Sequence, residues 1–180
     1  MNPLNKRLLK GEAAAFAELY DLLGEKLYRY VFSQLRSSQD ATDVVQEIFV
    51  RLVKSHRSLA RAENLNSYIF AVARNETIRW RIKNENRSHQ SLPPEDPATN
   101  YDATEKLIDS NDWVSNTLQS LDSADQEIVH LKAITKLTFK EIAEALQMAQ
   151  SNVTTRYRRS MLKLQSTLSN QQSNNENAVQ

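Results

Sequence analysis

The sequence contains no cysteine. Disulfides and thiolate chemistry are therefore excluded, and a reducing, cytoplasmic location is expected. Its 180 residues include only two glycines, Gly11 and Gly24. They cannot form a GxGxxG turn or a P-loop, and sheet folds built on glycine-rich hairpins are disfavoured. Of four prolines, Pro93, Pro94 and Pro97 fall together. No run of about 18 apolar residues is present, so no membrane insertion is expected. The N-terminus, MNPLNKRLLKGEAAAF, is broken by Glu12 and lacks the apolar core of a signal peptide. His56, His89 and His130 each stand alone without a ligand set. No catalytic arrangement is visible, so the chain is expected to be no enzyme and to use no metal or cofactor. The charges nearly cancel, 23 basic against 22 acidic residues. Only their distribution can therefore point to a partner.

Apolar residues recur at three- and four-residue steps, which predicts an all-α protein. One stripe runs through 12–35 (Phe16, Leu19, Tyr20, Leu23, Leu27, Tyr30, Val31, Leu35), with Gly24 as a close-packing point or a break. A second covers 39–56 (Val44, Val45, Ile48, Phe49, Leu52, Val53), and a third runs from Asn66 to Lys83 (Leu65, Ile69, Val72, Ala73). Together they can close a small bundle. The pattern stops at Asn84, where a polar, proline-bearing stretch begins. Between Glu95 and Asp112 six acids face one base, Lys106. The expected organisation is therefore two small helical domains, 10–84 and 106–167, joined by a flexible acidic linker at 85–105. A disordered tail follows at 168–180. In the second unit helices are expected at about 123–134, from Thr138 to Leu146, and at 151–167. Thr138 and Glu141 have capping-box spacing.

The strongest local motif is TFKEIAEALQMAQSNVTTRYRRSMLKL, residues 138–164. A short helix, a turn at 147–150 and a longer helix with a polar start are the parts of a helix-turn-helix, whose second helix enters the major groove of duplex DNA. Gln150, Ser151, Asn152, Thr154 and Thr155 can meet base edges. Arg156, Arg158, Arg159 and Lys163 follow, four bases without an acid between Ala145 and Asn175, a footprint suited to phosphates. Val153, Tyr157, Met161 and Leu164 have the spacing of a buried anchor.

The third helix, YIFAVARNETIRWRIKNENR, carries five bases against two acids. Tyr68, Phe70 and Trp80 interleave with Arg74, Arg79 and Arg81, as suits single-stranded DNA. Trp80 would equally serve as core, with the cations as a solvated face. In DATDVVQEIF, Asp40, Asp43, Gln46 and Glu47 share one face of a helix. Such a face is repelled by DNA and suits a basic protein surface, although a solvated helix reads the same.

These parts together resemble a bacterial RNA polymerase sigma factor of the sigma-70 family, extracytoplasmic-function type, over about residues 10–167. The segments ELYDLLGEKLYRYVF, DATDVVQEIFVRL and LNSYIFAVARNETIRWRIK are similar to the family's region 2, and residues 121–164 to its region 4. The resemblance implies that the face of Asp40, Asp43, Gln46 and Glu47 docks on the clamp coiled coil of the core polymerase's largest subunit. It implies that Asn64, Asn66, Ser67, Tyr68, Arg74, Asn75, Arg79, Trp80 and Arg81 lie at the promoter −10 element. There Asn64, Asn66 and Ser67 would read a flipped base of the melted non-template strand. It assigns Gln150, Ser151, Asn152, Thr154, Thr155, Arg156, Arg158, Arg159 and Lys163 to the −35 duplex, and adds contact with the polymerase flap. An anti-sigma protein is a further partner the resemblance allows. Four positions depart from the family pattern: Asp122 replaces a usual Pro, Lys136 and Gln147 replace Gly, and Thr154 replaces a frequent Lys. The stretch 84–105 is too short and polar to hold another domain.

Two other readings fit some of these features. One is a stand-alone helix-turn-helix regulator whose N-terminal bundle dimerises or senses a signal. The other is a structural adaptor of two bundles, which has no use for an acid-free basic patch.

Overall fold

The computed structural model describes residues 2–88, 118 and 120–177. The proline-bearing stretch and most of the acidic linker lie outside the described residues. In the first unit α1 spans Pro3–Leu9, α2 Ala13–Leu35, α3 Ser38–Lys54, α4 His56–Arg61 and α5 Leu65–Ser88. In the second, α6 spans Ser123–His130 and runs into a π-helical turn, Leu131–Thr135; α7 spans Phe139–Leu146 and α8 Gln150–Asn177. The architecture is all-α, in two helical clusters. No described helix is long and apolar enough to cross a membrane.

Local chemistry accounts for the boundaries. The α1 helix was not expected, yet it has a cap in sequence. Asn2 accepts a hydrogen bond from the Leu4 amide at 3.2 Å, and Pro3 occupies the first turn. Leu8 is fully buried from this helix, which packs on α4. Gly11 turns the chain into α2 with a φ of 72°, a conformation that favours glycine. Ser37 caps α3 through the Asp40 amide. Gly24 does not break α2, which runs on to Leu35, and a Cβ there would meet the Tyr20 ring at 3.5 Å. Asp122 caps α6 through the Asp125 amide at 2.8 Å.

The capping box at Thr138 forms as expected. Its hydroxyl accepts from the Glu141 amide, and Glu141 accepts from the Thr138 amide at 2.7 Å. Lys136 and Gln147, which stand where the resemblance implies glycine, are both left-handed, with φ of 56° and 55°. The chain thus keeps the backbone without the residue that adopts it freely.

Several apolar assignments shift by one step of the helix. Tyr20 (56% exposed) and Val53 (46%) lie outside the stripes expected to be buried, whereas Phe32 is buried. Met161 is exposed and Ser160 takes its place against the core. The last helix continues to Asn177, where a disordered tail was expected from 168. Nothing in 151–177 is Gly or Pro, so no residue breaks it.

The two units pack together. Buried apolar side chains from both, among them Leu27, Val31, Ile69 and Phe70 with Ile128, Leu131, Ile142 and Val153, form one continuous core. The contacting elements are α5 with α7, and α2 with the π-helical turn. His130 is buried at this junction. Its Nδ1 lies 3.3 Å from the Gln34 amide nitrogen of α2, and burial, helped by the charge of Arg36, pushes its pKa down to about 4.

Two outcomes follow. Replacing Gln147 or Lys136 by Gly relieves a left-handed side-chain penalty of about 1–2 kcal/mol, offset in part by the roughly 0.4–1 kcal/mol gain in unfolded-chain entropy. Each change should raise the urea midpoint, by about 1 kcal/mol or less of added stability. His130 is neutral when folded and titrates near 6.5 when unfolded, so the unfolded chain binds the extra proton as pH falls. Stability is complete above about 6.5 and declines toward about 4. Between pH 7 and 5.5 the loss should be about 1 kcal/mol, and His130→Gln should flatten that slope.

Candidate nucleic-acid interface

On α3, Asp43, Gln46 and Glu47 are exposed, and Asp40 is half-buried beside them. Val44, Ile48 and Leu52 fill the opposite, core side. Asp43, Gln46 and Glu47 have no ion pair or side-chain hydrogen bond among the described residues. Val50 and Val53 extend this outer face and are about half exposed. The sequence reading missed Val50 and placed Val53 inside, because a stripe of valines does not show where its edge lies.

The set expected at the −10 element does not form one face. The turn of α5 puts Arg81 about 20° from Arg74, but Trp80 about 120° away. Toward the second unit, Asn64 and Asn66 each donate from Nδ2 to Glu141 Oε1 at 3.2 Å. Ser67 is buried and donates to Glu144 Oε2 at 2.7 Å. Arg74 Nε donates to both oxygens of Glu127, at 3.0 and 3.2 Å. Glu127 also accepts from the Tyr30 hydroxyl at 2.8 Å. Burial, and then the Glu127 charge, raise the Tyr30 pKa well above its usual value. Burial alone would raise the Glu141 pKa. The Thr138 amide and hydroxyl, with Asn64 and Asn66, outweigh it and lower the value instead.

The other members lie elsewhere. Arg81 donates to the Gln34 carbonyl at 3.2 Å. Tyr68 packs partly buried against the core. Arg79 and Arg51 both pair with Glu76, at 2.7 and 3.0 Å. Trp80 is also packed against the core, with its indole N–H buried and without a hydrogen-bond partner among the described residues. It borders a groove of about 270 Å³ with Val50, Arg51, Lys54 and Lys83, between α3 and α5. Asn75 is exposed on a third side, near Ile78 and Ile82.

In the second unit α7, a turn and α8 take the helix-turn-helix arrangement. Gln150, Ser151, Asn152 and Thr155 are exposed at the start of α8. Thr154 is half-buried and donates to the Gln150 carbonyl. Val153 is buried, and Tyr157 meets Phe139 of α7 edge-on at 5.2 Å.

The four cations of the expected patch have different surroundings in the fold. Arg156 contacts Asp122 at 2.8 Å and buried Asp125 at 2.7 Å, and Arg159 donates to Asp125 at 2.8 Å. Lys163 donates to the Ser120 carbonyl. Asp122 has a lowered pKa, chiefly from the Asp125 amide it accepts and then from Arg156. Arg158 is exposed and has no such partner among the described residues. The balancing acids sit at the start of α6, two helices earlier and outside the window in which the bases cluster, and only folding brings them together.

Residues 19–87 match the family model "Sigma-70 region 2", and residues 111–164 match "Sigma-70, region 4". Among curated proteins, the chain is 27% identical to the ECF RNA polymerase sigma factor SigW of Bacillus subtilis, over 86% of this chain and 89% of that one. It is 23% identical to SigX of the same organism, over 81% and 79%. Among solved structures, CnrH in complex with the cytosolic domain of CnrY matches with a TM-score of 0.71 and 22% identity, over 92% of this chain and 95% of that one. RpoE of Bartonella quintana, solved with the anti-sigma factor NepR, matches with a TM-score of 0.65 and 21% identity, over 85% and 95%. The chain belongs to the sigma-70 family of RNA polymerase sigma factors and is of the extracytoplasmic-function type. Its function is that of a sigma factor, a non-catalytic protein that directs transcription initiation by binding core RNA polymerase.

Arg156 should behave as a structural residue. Arg156→Ala leaves Asp125 buried with only Arg159, and should cost about 1–3 kcal/mol in urea unfolding. Arg158→Ala should leave the midpoint unchanged within about 0.5 kcal/mol.

Proposed function

We propose that the outer face of α3 is the surface that docks on core polymerase, on the clamp coiled coil of its largest subunit. The observation that carries this is the exposed polar row of Asp43, Gln46 and Glu47, whose two carboxylates have no ion-pair partner among the described residues, continued by exposed Val50 and Val53. A pair of exposed carboxylates with an apolar margin repels DNA and suits a basic protein surface. Asp40 flanks the row.

The promoter contacts divide between the units. The start of α8, with Gln150, Ser151, Asn152, Thr154 and Thr155, reads the −35 duplex, and Arg158 is its principal phosphate contact. Arg156, Arg159 and Lys163 act there mainly by bracing the helix. Asn64, Asn66, Ser67 and Arg74 read the melted −10 strand, with Tyr68, Asn75, Arg79, Trp80 and Arg81 around them. The donor chemistry of the first four, two amides, a hydroxyl and a guanidinium, suits base acceptors and phosphate. This division follows domains at 10–84 and 106–167, with the second unit also meeting the polymerase flap. An anti-sigma protein is a natural further partner, as for RpoE with NepR.

Asp43→Lys with Glu47→Lys should weaken binding to core polymerase by about tenfold or more while circular dichroism stays unchanged. Binding equal to wild type would remove this face from the docking surface. Run-off transcription with the same variants reads the consequence for initiation.

A further inference from the structure

The start of α6 and the middle of α8 hold a balanced set of charges, two carboxylates against two guanidiniums. Arg156 reaches Asp122 at 2.8 Å and Asp125 at 2.7 Å. Arg159 reaches Asp125 at 2.8 Å and Asp122 at 3.9 Å. We propose that Asp122 is a positioning residue for the −35 duplex: its charge keeps Arg159 engaged within the protein and so withholds one phosphate contact from α8. The inference rests on the −35 reading of α8 given above.

Three observations carry it. The two acids have different surroundings. The Asp125 side chain is 5% exposed and must keep a cation beside it, whereas that of Asp122 is 56% exposed and has water available. Half-buried Arg156 already sits on Asp125, so the buried acid stays paired when Arg159 turns away. Next, Arg159 has room to leave. Its side chain is 64% exposed and borders an open cleft of about 400 Å³ with Asp122, Asp125 and Lys163. Finally, Arg159 lies on a face that meets DNA. Asn152, Arg156 and Arg159 recur at four- and three-residue steps, so a duplex entering beside Asn152 brings its backbone along the same side of α8. The carboxyl of Asp122 is charged at neutral pH, held below the usual carboxylate range by the Asp125 amide and then by Arg156.

The charge of Asp122 can be removed without removing its cap. Asp122→Asn keeps the oxygen that accepts from the Asp125 amide, and asparagine caps a helix as well as aspartate does. Asp125 then has two cations where one suffices, and Arg159 is spare for a phosphate. Each phosphate that a cation neutralises steepens the fall of log K with log salt by about 0.9.

The experiment measures binding of the full-length chain to a short fluorescent duplex of random sequence by anisotropy, over a series of salt concentrations. Phosphate contacts require no particular sequence. Asp122→Asn should bind about threefold to tenfold more tightly than wild type at low salt, with a slope steeper by about 0.9 and an unchanged circular dichroism spectrum. In an Arg159→Ala background the same change should give no gain. Wild-type affinity and slope in Asp122→Asn overturn the inference. A gain that persists without Arg159 overturns it too, because that is simple relief of repulsion between a carboxylate and DNA. Asp122→Ser, a second uncharged cap, repeats the test without an amide that could itself donate to DNA. The reading beneath is checked by Arg158→Ala, which should weaken duplex binding and make the slope shallower by about 0.9. Binding by Arg158→Ala equal to wild type removes the duplex from α8 and the role of Asp122 with it. A weakened Arg158→Ala beside an unchanged Asp122→Asn removes the role of Asp122 alone.

Discussion

One carboxylate ties the two halves of this chain together. Glu127 lies at the meeting of α6 with α2 and α5, and accepts from the Tyr30 hydroxyl and the Arg74 guanidinium. Tyr30 is almost fully buried, and a phenol without a partner at that depth carries a desolvation cost of a few kcal/mol. The partner it finds is 97 residues away in sequence. With Glu127 there, α6 has one register against the first unit. The π-helical turn then meets α2, and α7 comes down on α5. The contacts of Glu141 and Glu144 depend on that placement.

A second ionic arrangement works inside the second unit alone. Asp122 and Asp125 hold Arg156 and Arg159 and so join the start of α6 to the middle of α8. Asp122 serves as a helix cap as well, which explains how it can replace the family's usual proline. The middle of α8 is therefore held by these ion pairs. What α8 leaves exposed beside them is a short polar start and Arg158.

The departures at Lys136 and Gln147 have a related character. Both residues end a helical segment in the left-handed conformation that glycine would adopt without strain. Arg36 does the same at the end of α2. Each is exposed, so the side chain meets no clash beyond its own backbone. The fold tolerates the cost because the flanking apolar residues, such as Leu137 and Leu146, are buried in the shared core.

Much of this was legible in the sequence. Apolar residues at helical steps specify the helices, and Thr138 with Glu141 specifies the capping box. The acidic row of α3 and the polar start of α8 were visible as patterns, because each is a property of a single helix and periodicity carries it. The cap of α1 was also present, in Asn2 and Pro3, but it stood in a stretch without an apolar stripe. What the sequence could not determine is which charges survive folding. Arg156 and Arg74 look alike as free cations on basic helices, yet each finds a carboxylate on another element. Ser67 looks like an accessible hydroxyl and is buried. Ion pairs and burial between distant segments depend on how helices cross and rotate, and a periodic pattern fixes a helix's face without fixing its neighbour. Only the tertiary structure decides that neighbour, because it alone settles which polar groups lose water and must be paired.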